Sequence, residues 1–422
     1  MNNFFQLLIL FFSFYNHYSL CYNNTSLLFN GNSSFLQGIY TESYSYFTTL
    51  YLGKEKIPQT YILDTGNYVT SSPCDKCLTC DDHLGQKYKL EDESKIIECN
   101  STNCDMLSHV ICQSSQCSFL QSFKEGSFIS GIYVNESIFF EETLNENISY
   151  NIPIGCTTEE DGIKVQSQVA NGIMGLGNNN KSFIDILYNS NIIKRKIFSL
   201  CYSLGGGYFS IGKIETAFHF FENINYVNLI DISMEKYYIK VNHLGIGSAK
   251  IDYNGKASIN SGTTLTYFPE KIFRAIMNNY LIICKNCGNL KRLEEYGYCI
   301  KVKDEEEMNE IEFEIQVKWE DIIFVLDGYK FIWKPENYIF IYEPEEGELN
   351  LCLGFEGDDN IENIILGTTF MRGYDIIFDK EEFRIGFVQA DCDRNDTIGT
   401  LIGIEEEGEE EGEENHTPNQ DL

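Results

Sequence analysis

The stretch Tyr61-Ile62-Leu63-Asp64-Thr65-Gly66 runs apolar for three residues and then breaks into an acid, a hydroxyl and a glycine. An apolar run of strand-forming residues that ends in small polar residues reads as a strand stopping at a tight turn, with Asp64 at the junction. It is answered by Gly172-Ile173-Met174-Gly175-Leu176-Gly177, in which Gly175 falls about 111 residues after Asp64. The arrangement then recurs: Ala257-Ser258-Ile259-Asn260-Ser261-Gly262 is followed by Ile364-Ile365-Leu366-Gly367, with Gly367 about 107 residues after Asn260. Two strand-turn elements, each matched at nearly equal spacing by a later apolar strand ending in glycine, indicate one fold present twice in the chain.

Working outward, short strand-like runs such as Tyr46 to Leu52, Ser127 to Val134, Tyr237 to Val241 and Tyr374 to Phe378 alternate with Gly, Asn and Asp turns. Helical signals are few: Phe183 to Tyr188, and Pro269 to Met277, where proline opens the helix. The expected architecture is mostly β, with two lobes meeting at a boundary near residues 213 to 225. The expected domains are a signal peptide at 1–21, a short leader at 22–39, an N-terminal lobe at 40–215 with a cysteine-rich insert at 73–117, a C-terminal lobe at 216–395, and an acidic tail at 396–422. Within that tail, residues 405 to 414 are a Glu/Gly run with no apolar content, the composition of a disordered segment.

The 422 residues, 43% of them hydrophobic, are enough for a large two-lobed core. A formal net charge of -32 argues against nucleic acid or an anionic membrane surface as a partner. The apolar run Phe4 to Tyr15, with small and polar residues around Ser19 and Cys21, reads as a secretory signal peptide, an uncleaved anchor being the alternative. Of 15 cysteines, 14 remain once Cys21 is removed, an even number suited to disulfides in an oxidising compartment. N-glycosylation sequons recur at Asn32, Asn100, Asn135, Asn147 and Asn180. No later apolar segment is long enough to span a bilayer, and the C-terminus carries no ER-retention tetrapeptide, so the mature chain is expected to be a soluble monomer, secreted or lumenal in the ER, vacuole or lysosome.

An acid at a strand-to-turn junction in each half of a duplicated chain is what acid proteolysis needs. Two carboxyl groups within hydrogen-bonding reach hold one proton between them; the ionised member takes a proton from water while the protonated member hydrogen-bonds the scissile carbonyl. Gly66 and Gly262 would let the turns approach, the hydroxyls of Thr65 and Ser261 can lock each turn to the facing loop, and Thr263 belongs with them to the supporting loops.

These residues carry a resemblance that spans 40 to 395. Leu63-Asp64-Thr65-Gly66, Asn171 to Gly177, Ser261-Gly262-Thr263-Thr264-Leu265-Thr266-Tyr267-Phe268-Pro269, Ile365 to Arg372 and Asp379 to Phe387 resemble the signatures of the pepsin-like aspartic endopeptidases, in family order. The segment Pro73-Cys74-Asp75-Lys76-Cys77-Leu78-Thr79-Cys80 through Cys117 resembles the insert of the nepenthesin and plasmepsin V branch, as does Ile154-Gly155-Cys156. The resemblance implies an interlobe cleft that binds an extended polypeptide substrate or a protein ligand, with no cofactor and no metal. It also implies disulfides Cys74–Cys77, Cys80–Cys156, Cys99–Cys117, Cys104–Cys112, Cys201–Cys392 and Cys299–Cys352, leaving Cys284 and Cys287 as a local bridge. Cys74, Cys77, Cys80 and His83 also have zinc-compatible spacing, but an exported chain favours disulfides.

Three positions depart from the family. Asp64 matches the first catalytic aspartate, but Asn260 stands in place of the second; an amide donates a hydrogen bond yet cannot hold and pass a proton. Asn67 replaces the usual serine beside the first aspartate, and Phe123 falls where the flap tyrosine is expected. In that flap, Phe123-Lys124-Glu125-Gly126, Glu125 could pair with a basic substrate side chain, a solvated carboxylate being the plainer reading. Residues 22 to 39 contain no Lys or Arg and so offer no basic pro-segment. The expectation is an aspartic endopeptidase fold with impaired hydrolysis; the alternative is an inactive pseudopeptidase that binds or inhibits a protein or glycan through the same cleft.

Overall fold

The computed structural model describes residues 37–39, 45–80, 83–90, 92–140, 149–166, 168–230, 235–283, 291–293, 297–302, 319–342, 349–393 and 401–402. The signal peptide, Cys284 and Cys287, and all but Leu401–Ile402 of the acidic tail lie outside the described residues.

Apolar strands of period two pair into one large sheet in the N-terminal lobe and smaller sheets in the C-terminal lobe. The N-terminal sheet has nine strands, Gln37–Ile39 at one edge and Val110–Gln113 at the other. At its centre Ile57–Asp64 runs parallel to Gly172–Gly175, with Asp64 opposite Gly175, and Ser71 pairs antiparallel with Ile173. The C-terminal lobe repeats this unit: Gly255–Ile259 runs parallel to Ile364–Leu366, and Tyr267 pairs antiparallel with Ile365. The correspondence reaches single hydrogen bonds. Gly175 N donates to Thr70 Oγ1 at 3.0 Å, and Gly367 N donates to Thr266 Oγ1 at 3.3 Å, each threonine six positions beyond Asp64 or Asn260.

A six-stranded sheet joins the halves. Ile197–Tyr202 pairs with Tyr374–Asp379, flanked by their hairpin partners Gly207–Ile211 and Arg384–Gln389, with Asn225–Asn228 at one edge and Leu401–Ile402 at the other. Its apolar face continues one core through both lobes. Phe198 stacks on Phe378 at 4.5 Å between ring centroids, and Tyr237 meets Phe378 edge-on at 4.7 Å. Burial of rings of this size contributes on the order of 1.5–3 kcal/mol each. The helices Phe183–Asn189 and Glu270–Ile283 form where the sequence signals them.

Six disulfides are described, and two of them, Cys201–Cys392 and Cys299–Cys352, are the pairs the resemblance implied. Four implied pairs are corrected. Cys74 bonds Cys156, because Ser71–Pro73 runs parallel to the Tyr150–Asp161 strand and brings these two buried cysteines together. Cys77 bonds Cys80 across one tight turn, with Cα atoms 5.7 Å apart. In the hairpin Val110–Gln113/Gln116–Ser122, Cys112 and Cys117 lie directly opposite, and burial sorts their partners: buried Cys117 takes buried Cys104, while exposed Cys112 takes half-exposed Cys99. Cys74, Cys77 and Cys80 are thus committed to sulfur, and the His83 ring lies between the Gln168 carbonyl and Glu160.

Candidate active site

The two strand-turn elements meet at the seam between lobes. Asp64 closes the strand Ile57–Asp64, and Asn260 follows directly on Gly255–Ile259. Each side chain is half-buried and accepts a hydrogen bond from the glycine two residues on: Gly66 N donates to Asp64 Oδ1 at 2.7 Å, and Gly262 N donates to Asn260 Oδ1 at 3.1 Å. Each glycine also lies under the opposite side chain. A Cβ on Gly66 would stand 2.8 Å from Asn260 Oδ1, and one on Gly262 would stand 2.3 Å from Asp64 Cγ, so neither turn tolerates a side chain there. The Asp64 carboxyl and the Asn260 amide are therefore held over facing turns.

The hydroxyls next to them tie the turns together. Thr65 N donates to Ser261 Oγ and Ser261 N donates to Thr65 Oγ1, both at 2.9 Å. Thr65 Oγ1 donates to Ile259 O at 3.1 Å and Ser261 Oγ to Leu63 O at 2.7 Å, so each hydroxyl bridges both loops. All four groups are buried, where unpaired polar atoms are costly and paired ones specify geometry. Thr263 holds a different contact: its carbonyl accepts from Thr368 N at 2.8 Å, backing the second turn.

Burial pushes the Asp64 carboxyl up to about 6, opposed by the Gly66 N–H and the positive charge of Lys236. In a paired site the second carboxyl would share that proton; here Asn260 contributes none.

The other departures sit close by. Asn67 is buried, its Oδ1 accepting from Tyr68 N at 2.6 Å and Val69 N at 3.1 Å. Its Nδ2 is buried without a hydrogen-bond partner, so this amide closes its own turn. Phe123 begins the tip between Gln116–Ser122 and Phe128–Phe139; its N–H donates to Ser127 O at 2.8 Å, and Gly126 takes a positive φ of 100°. The ring packs half-buried against the core and offers no hydroxyl. Glu125 is exposed and accepts from the Ser127 hydroxyl within the same turn.

Sequence reading missed the partner of Lys124, whose Nζ lies 3.7 Å from Asp358 Oδ2 of the other lobe in an exposed ion pair. Its signal, a lone lysine in a loop, gives no partner. An open groove of about 470 Å³ lies between the cysteine-rich insert and the hairpin, lined by Lys76, Ile111, Phe119 and Ile132 among others, and includes neither Asp64 nor Asn260.

A bilobal β fold with duplicated strand-turn elements meeting through Thr65 and Ser261 defines the architecture of pepsin-like aspartic peptidases. The family model "Eukaryotic aspartyl protease" matches residues 45–390, and the chain belongs to that family. Plasmepsin V of Plasmodium falciparum (isolate 3D7) is 27% identical over 85% of this chain and 73% of its own length. Aspartic proteinase 39 of Arabidopsis thaliana is 23% identical over 82% of this chain and 74% of its own, and aspartic proteinase 36 of the same plant is 25% identical over the same shares. The similarity to plasmepsin V is consistent with the branch read from the cysteine-rich insert. Membership of the family implies polypeptide substrates, and no described helix is long and apolar enough to cross a membrane.

Proposed function

We propose that the chain is a secretory-pathway protein that binds an extended polypeptide between its lobes, with hydrolysis impaired because Asn260 stands where a second catalytic carboxyl is needed. The observation that carries this reading is the Asn260 amide poised over Gly66 in the symmetry-related position to Asp64. Asp64 is the remaining base. Below about pH 6 it is protonated and cannot take a proton from water. Above that pH it is ionised, but the scissile carbonyl then faces a neutral amide that donates a hydrogen bond and no proton. Loss of one general acid or base member lowers rates by about 10²–10⁴. The flap lacks a hydroxyl at Phe123, and Asn67 directs its amide oxygen at its own turn, so neither compensates.

The second reading, an inactive pseudopeptidase that holds or inhibits a protein or glycan, is favoured by the same cluster of three changed polar groups at one centre. Glu125 on the flap is the residue proposed to meet a basic side chain of a bound polypeptide. The test is to incubate the purified chain with denatured polypeptide between about pH 3 and 7, with and without pepstatin, and to measure pepstatin binding by calorimetry. Binding without cleavage supports the proposal; pepstatin-sensitive cleavage by the unmodified chain overturns it, and absence of both leaves the glycan- or protein-binding reading.

A further inference from the structure

Among the described residues, two buried cations of the second half, Arg372 and Lys380, reach into the first half, and Lys380 is the one whose contacts back the Asp64 turn. Lys380 follows the bridging strand Tyr374–Asp379 and belongs to the second half of the chain, yet its side chain reaches into the first half. Its three N–H groups are shared among four acceptors, Gly177 O at 3.1 Å, Asn179 O at 2.9 Å, Ser182 Oγ at 2.7 Å and Asp185 Oδ2 at 2.5 Å. Lys380 is only 6% exposed and Asp185 is fully buried; the second Asp185 oxygen faces Lys196 Nζ at 3.3 Å. Asp185 also completes the capping box of the helix Phe183–Asn189, accepting from Ser182 N and Ser182 Oγ.

The segment that Lys380 grips backs the Asp64 turn. Leu176 N donates to Asp64 O at 2.9 Å, and Gly177 N donates to Asn67 O at 2.8 Å. Gly177 is thus held by the Asp64 turn at its N–H and by Lys380 at its carbonyl. A charge-assisted cluster in a dry interior holds its partners in a defined geometry, and loosens when one of them goes. We infer that Lys380 is a positioning residue: from the second lobe it fixes the segment Leu176–Ser182 and, through Gly177 and Leu176, the Asp64 turn. This rests on the reading of Asp64 as the reacting centre. The ammonium group itself touches neither Asp64 nor Asn260 in any hydrogen bond.

The bland alternative is a cluster that stabilises the lobe interface and nothing more. The two differ in where a variant loosens. In full-length Lys380→Met, hydrogen exchange at the Leu176 and Gly177 amides is expected to rise about tenfold or more relative to the control strand Gly297–Val302. In the Asn260→Asp background, kcat is expected to fall about tenfold or more with KM unchanged, because misplacement acts on the reacting geometry. Should Lys380→Met not fold, Ser182→Ala removes one of the four acceptors without stranding the charge, and the same two amides are expected to exchange about threefold faster. Equal loosening of the control strand, or unchanged exchange at both amides, overturns the inference. If Asn260→Asp shows no cleavage at all, the reading of the centre fails while the exchange result still decides whether Lys380 positions the turn.

Discussion

Thr65 and Ser261 exchange hydrogen bonds across the two lobes, each backbone N–H donating to the other's hydroxyl at 2.9 Å. Residues separated by 196 positions in the chain are thereby made to share one small network beneath Asp64 and Asn260. Ser261→Ala removes the acceptor of Thr65 N and the donor to Leu63 O, both buried. The expected loss of stability is about 1–3 kcal/mol. Thr65→Val is expected to lose a similar amount, and the double variant less than the sum, because both act on one network. Urea unfolding of the two single variants and the double variant checks this; strict additivity would separate the two residues.

The Asp64 carboxyl titrates near 3.8 when the chain is unfolded and at about 6 when folded. The folded state binds the proton more tightly, so stability is greatest below the unfolded value and falls as pH rises from about 4 to about 6. The shift corresponds to at most about 3 kcal/mol, reduced by whatever solvent reaches this half-buried group. Asp64→Asn is accordingly expected to stabilise the protein at pH 7 relative to its effect at pH 4. Denaturation at the two pH values measures it, and an effect equal at both would place Asp64 in ordinary solvent.

Strand register pairs Cys74 with Cys156, a tight turn pairs Cys77 with Cys80, and burial sorts the remaining four into Cys99–Cys112 and Cys104–Cys117. Non-reducing peptide mapping is expected to recover the peptide around Cys74 joined to that around Cys156. Recovery of Cys80 joined to Cys156 would mean the other order.

Asn260 precedes Ser261, a sequence that could deamidate and restore an aspartate. Deamidation requires Ser261 N to attack the Asn260 side-chain carbon, but that N–H is held by Thr65 Oγ1 and the Asn260 oxygen by Gly262 N. The folded protein is expected to keep Asn260 through weeks at pH 7, with deamidation appearing only after unfolding. Peptide mass spectrometry reads the one-dalton difference.

Much of this was legible in the sequence. The duplicated strand-turn elements fixed Asp64 and Asn260 as counterparts because strand period, turn glycine and the spacing to Gly175 and Gly367 are all local or repeated features. The hydroxyls of Thr65 and Ser261 suggest a lock between the turns, but the reciprocal pairing of each backbone N–H with the other's hydroxyl is visible only in the structure. Cysteine pairing in the insert was not, since four cysteines within 99–117 can pair in several ways until the hairpin register brings Cys112 opposite Cys117. The Lys380 cluster and the Lys124–Asp358 pair were also hidden: each joins residues far apart in the chain, and a single charged residue carries no mark of its partner.

The central claim is that the fold is intact and that the amide at Asn260 limits hydrolysis. The most direct measurement compares the cleavage rate of one denatured polypeptide by the unmodified chain and by Asn260→Asp, at equal concentrations across about pH 3 to 7. A rate at least about 10²-fold higher for Asn260→Asp, abolished by pepstatin, is the predicted result. Equal, pepstatin-sensitive rates for the two proteins would contradict it.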